Sequence, residues 1–112
     1  MGDSTVMKVE SEHSPVGKLG QRYLASGKSI SMRLWEEAGS SQKEQNVARD
    51  YEVVGFVLEG NATLELEGQT IKLKPGDSWV VPKGAKHTYH IEGPFKAVEA
   101  THPPAQVHSR DE

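Results

Sequence analysis

Polar and apolar residues alternate cleanly from Ser29 to Trp35 (SISMRLW), and a period of two predicts a strand with one buried face. Ile30, Met32 and Leu34 are assigned to the core side, while Trp35 breaks the alternation and is assigned to a rim. Tyr51 to Leu58 (YEVVGFVL) is a nearly continuous apolar run, the pattern of a central strand covered on both faces. Glu59-Gly60-Asn61 reads as a turn. Ala62 to Glu67 then alternates again, with Leu64 and Leu66 on one side, and Ile71 to Leu73 returns after a turn at Gly68-Gln69. Ser78 to Val81 is a short strand, broken by Pro82-Lys83-Gly84, and His87 to Ile91 begins another. Gly93-Pro94 predicts a turn before a last alternating strand, Phe95 to Ala100, which Pro103-Pro104 ends. Gln21 to Ala25 adds one short strand near the start. The polar stretch from Glu36 to Asp50 carries no apolar stripe and is read as a loop with at most one strand near its end. Loops of that length in a compact domain often carry function.

About eight short strands separated by turn signals make this an all-β chain, folded as a small antiparallel sandwich or jelly-roll barrel. Its 112 residues suffice for one domain. Residues 15–104 are assigned to the barrel, with flexible tails expected at 1–14 and 105–112. Composition narrows the chemistry: a net charge of -3 gives no basic footprint for nucleic acid, and the absence of cysteine excludes disulfides and thiolate metal sites. No apolar run is long enough for a membrane-spanning helix, and the start lacks the pattern of a secretion signal, so a cytoplasmic location is expected. Phosphate loops, nucleophile elbows and HExxH motifs are not found.

The segment Gly76 to His87 (GDSWVVPKGAKH) carries the most specific signal. Gly76, Pro82, Gly84 and His87 fall at the spacings of the second motif of the cupin superfamily, which the segment resembles; only the motif's final Asn is replaced, by Ile91. Tyr51 to Gly68 resembles the end of the first cupin motif and its following hairpin, and the resemblance spans roughly residues 30 to 100. It implies a small single-domain cupin, and homodimers paired through their sheets.

In metal-binding members of that family, three His and one Glu hold the ion. Here the first motif departs from the pattern. Anchored on Gly60, its Glu position falls on Val53, with Glu52 one residue earlier, and the two His positions fall on Gln45 and Val47, on Val47 and Arg49, or on Asn46 and Ala48. No register supplies a histidine. If an ion is held, the candidates are His87, Glu52 and Gln45, too weak a set for a divalent transition metal, so a degenerate metal site is the expectation. The barrel cavity is then expected to be lined by His87, Tyr89, Gln45 and Arg49. Tyr89 lies two residues after His87 and so shares its side, whereas His90 points to the other face. A small polar molecule is the expected ligand. A metal-dependent enzyme of dioxygenase or isomerase type, using an unusual ligand set with His87, and a non-catalytic dimeric interaction or sensory module remain as alternatives, with no catalytic residue assigned. Trp79 is assigned to core packing or an interface, and Gly55 marks a bend or a close approach by another side chain.

Overall fold

The computed structural model describes residues 7–17, 20–42 and 47–105, with no side-chain placement for 41 and 42. Seven antiparallel strands form one continuous sheet that folds over on itself: β1 (Arg22–Ser26), β2 (Ser31–Glu37), β3 (Ser41–Gln42), β4 (Glu52–Leu66), β5 (Gln69–Leu73), β6 (Ser78–Val81) and β7 (His87–His102). Among the described residues one 3-10 turn, Ser11–His13, precedes them. The strands follow the order β1-β2-β7-β4-β5, with β3 paired to β7 and β6 paired to β4. No helix among the described residues is long and apolar enough to cross a membrane.

Two strands run through both layers. The first half of β4 pairs with the last half of β7 and with β6, while Ala62–Leu66 pairs with β5 and with the first residues of β7. The ladder shifts register around Glu59, where extra residues bend and twist both strands. The bend needs Gly60: its φ is 84°, and a Cβ there would lie 2.1 Å from the Pro94 carbonyl oxygen. Glu59-Gly60-Asn61 and Gly93-Pro94, read as turns from the sequence, are therefore bends inside continuous strands. The sequence signals were correct about the glycines and wrong about the break, because ladder pairing resumes on the far side.

The core lies between the layers, with Tyr51, Val53, Val57, Trp79, Val81, Phe95 and Ala97 from one and Ala62, Leu64, Leu73 and Ile91 from the other. Ala105, assigned from sequence to the start of a tail, is buried and donates its N–H to Thr101 Oγ1. Two expectations about faces fail. Ile30 and Met32 are 52% and 41% exposed, while Ser31 and Arg33 are buried, so β2 turns its polar residues inward, with only Leu34 of the expected set buried. The run Tyr51–Leu58 is covered on one side only: Tyr51, Val53, Gly55 and Val57 point in, and Val54, Phe56 and Leu58 are exposed.

Candidate functional site

The inward face of the larger layer is built in rows. Cross-strand registry places Arg33 of β2 beside Glu99 of β7, Glu99 beside Gly55 of β4, and Gly55 beside Trp79 of β6. Because Gly55 has no side chain, the Trp79 indole lies directly on it; a Cβ there would approach the ring to 2.4 Å. That sideways lie brings Trp79 Nε1 to within 3.0 Å of the Tyr89 hydroxyl, to which it donates.

Tyr89 in turn donates to Glu99 Oε2 at 3.4 Å, and Glu99 Oε1 accepts from Arg33 Nε at 2.7 Å and from Trp35 Nε1 at 2.5 Å. Arg33 Nη1 donates to the Tyr51 hydroxyl at 3.0 Å, and its guanidinium sits 5.2 Å and 5.1 Å from the Trp35 and Tyr51 ring centres. Both members of the ion pair are buried, Arg33 at 6% and Glu99 at 3% exposure. Such a pair is tolerated inside a protein when its remaining polar atoms are also hydrogen-bonded, which this network accomplishes for the carboxylate. Burial, and next the Glu99 charge, hold the Tyr89 phenol well above its ordinary value, so it remains a neutral donor.

These groups form part of the wall of a cavity of about 60 Å³, bounded also by Val47, Arg49, His87, Ile91, Phe95, Ala97 and Glu37. The segment before β4 is tied to the motif before β7: Val47 and His87 exchange backbone hydrogen bonds of 2.9 and 3.0 Å, and Gly84 N donates to the Arg49 carbonyl at 3.0 Å. Those bonds bring Val47 and Arg49 to the cavity.

His87 enters β7 directly after the corner made by Pro82-Lys83-Gly84, and it is 8% exposed. Its Nδ1 lies 3.0 Å from the Ala85 carbonyl oxygen, and its ring meets Tyr89 edge-on with centres 5.5 Å apart. A carbonyl only accepts, so in the neutral ring Nδ1 carries the proton and Nε2 is left as an acceptor. Among the described residues Nε2 has no hydrogen-bond partner.

Three of the residues anticipated from sequence thus meet here: His87, Tyr89 and Arg49. Gln45 lies outside the described residues. Glu52 does not join them; it is exposed, because adjacent strand positions face opposite ways and the inward positions are the odd-numbered ones, Tyr51 and Val53. His90 is turned outward and bonds Glu65. His102 is exposed and approaches the Ser29 carbonyl, His13 is exposed, and His108 lies outside the described residues. Sequence reasoning missed Arg33, Trp35 and Glu99, and it gave Tyr51 and Trp79 no site role. The available signal was the opposite parity of Ser29–Trp35, with Arg33 facing an inward Glu on an alternating strand.

A transition ion does not fit these residues. No three His, Asp or Glu side chains converge among the described residues. The inward carboxylate of Glu99 is already engaged by three donors, and the Arg33 guanidinium beside it would repel a cation.

A comparison with curated protein sequences gives no match. Solved structures share the architecture at low identity. KdgF from Halomonas sp. is 19% identical with a TM-score of 0.75, over 89% of this chain and 94% of that one. An RmlC-like cupin from Shewanella frigidimarina is 16% identical with a TM-score of 0.79, over 91% and 95%. The Cnp3 cupin domain of Schizosaccharomyces pombe is 13% identical with a TM-score of 0.72, over 90% and 72%. The family model of the cupin domain matches residues 36–101, more than half of the sequence, and it spans both the corner that sets His87 and the strand that carries Glu99. The chain belongs to the cupin family.

Proposed function

We propose that this cupin binds a small organic molecule inside its barrel and that its metal site is degenerate. The observation that carries this reading is the cavity wall: one buried imidazole with an open acceptor, a neutral phenol, and a carboxylate already neutralised by Arg33, with no three metal donors converging among the described residues. Architectures shared by proteins as differently named as KdgF and Cnp3 leave function to be argued from the site rather than from the fold. Elemental analysis of purified protein, with divalent ions titrated against melting temperature, tests the reading. Substoichiometric metal and no ion-dependent shift are expected. A stoichiometric transition metal that His87→Ala releases would overturn it in favour of a metal-dependent enzyme.

A second property, homodimerisation, is supported by the outside of the same layer. Met32, Ala100, Val54 and Val80 form one cross-strand row, and Leu34, Val98 and Phe56 form the next. Met32, Val54, Phe56 and Val80 are exposed. A contiguous apolar patch of this kind on a small domain marks a protein interface, and a second copy is the occupant proposed here.

A further inference from the structure

We infer that the barrel selects an uncharged, compact ligand that presents a hydrogen-bond donor to His87 Nε2 and an apolar body to Ile91, Phe95 and Ala97. The inference deepens the binding reading above and rests on it.

Charge decides the first part. Among the described residues the cavity is bounded by two guanidinium groups, Arg33 and Arg49, and two carboxylates, Glu37 and Glu99, so that lining is formally neutral. The innermost cation and anion are committed to each other at 2.7 Å. A charged ligand would have to leave water for a site that offers no surplus of opposite charge, and desolvation would oppose it. A neutral molecule avoids that cost.

Hydrogen-bond polarity decides the second part. The Tyr89 hydroxyl already accepts from Trp79 and donates to Glu99, and the Glu99 oxygens accept from Arg33, Trp35 and Tyr89. His87 differs: more than nine-tenths buried, it lines the cavity with Nε2 as an acceptor that has no partner among the described residues. A ligand O–H or N–H satisfies that atom, whereas an acceptor-only ligand displaces water from it and leaves it unpaired. The third part follows from the remaining wall, since Ile91, Phe95 and Ala97 are apolar and a volume of about 60 Å³ suits a small ring or short chain.

The test uses the wild-type full chain and four probes of similar size: pyrrole, furan, butyrate and n-propylammonium. Backbone amide shifts around Trp79, Tyr89 and Ala97 report binding in the barrel. Pyrrole, which has an N–H, is expected to bind about tenfold more tightly than furan, which lacks one, as the loss of one buried hydrogen bond implies. Neither ion is expected to shift these resonances at concentrations where pyrrole saturates. In His87→Phe, which keeps a ring but removes the acceptor, pyrrole should fall to the furan level while furan still binds. The wild-type comparison stands even if that variant does not fold. Equal affinity for pyrrole and furan, or tighter binding of either ion, overturns the donor-selective inference and leaves the binding cavity in place. If no probe moves the cavity resonances, the binding reading falls and this inference falls with it.

Discussion

Arg33 and Glu99 carry opposite charges at directly opposed positions of β2 and β7, with almost no access to solvent. The physical consequence is asymmetric. Removing one partner strands the other as a buried charge, whereas removing both replaces an expensive pair with apolar packing. Arg33→Met is therefore expected to cost about 3–5 kcal/mol of stability, and the double variant Arg33→Met/Glu99→Leu to recover part of it, because Trp35 Nε1 and the Tyr89 hydroxyl then lose their acceptor. Urea denaturation of the three proteins checks this, and additive losses would contradict it. Tyr89 offers a pH signature. Its phenol ionises above the ordinary value of 10.0 because burial disfavours the anion and Glu99 repels it. The folded chain thus holds this proton more tightly than the unfolded chain does. The resulting stabilisation is complete below 10.0 and is lost as pH rises from there through the folded-state value. Tyr89→Phe should lose about 1–3 kcal/mol near neutrality through its missing hydrogen bonds, yet show a shallower decline in alkali. Melting temperatures measured from neutral pH to the alkaline limit decide it; parallel curves for the two proteins would remove the linkage.

At the scale of elements, β4 shows how one missing side chain organises a wall. Gly55 is opposed by Glu99 on one side and Trp79 on the other, and the indole fills the space that a Cβ would take. Gly55→Ala must push the ring away from β4, an overpacking expected to cost about 1–3 kcal/mol. The same displacement would separate Trp79 Nε1 from Tyr89, so the near-ultraviolet dichroism of Trp79 should change together with the melting temperature. An unchanged spectrum and stability would mean that the ring does not rest on Gly55. The element that reads most misleadingly is β2. A two-residue period identifies a strand but is blind to which face is interior, and Ile30, Met32 and Leu34 favoured the apolar side. At β2 the barrel inverts this choice because Arg33 pairs with Glu99 on the inner face, while Met32 joins an exposed apolar row with Val54 and Val80 on the outer one.

For the whole molecule, that inversion becomes an argument about assembly. The outward row Met32, Ala100, Val54 and Val80 is apolar across β2, β7, β4 and β6, and the next row, Leu34, Val98 and Phe56, is apolar across the first three of these strands. If a second copy covers them, light scattering at micromolar concentration should give twice the mass of the chain, and Phe56→Arg should give a monomer that remains folded by far-ultraviolet dichroism. A wild-type monomer would remove the dimer reading without touching the cavity.

What the sequence settled by itself is what depends on neighbouring residues. The spacing of Gly76, Pro82, Gly84 and His87 fixed a corner followed by a strand, and with the alternation elsewhere it made the chain an all-β cupin; the two-residue offset placed Tyr89 with His87. Turn and strand preferences act over a few bonds, so they can be read locally. Tertiary structure alone decided which side of each strand is inside, that the bends at Gly60 and Gly93 lie within strands, and that Arg33, Tyr51, Trp79 and Glu99 share one wall. Arg33 and Glu99 are 66 residues apart in the chain, and only the pairing of β2 with β7 makes their charges neighbours.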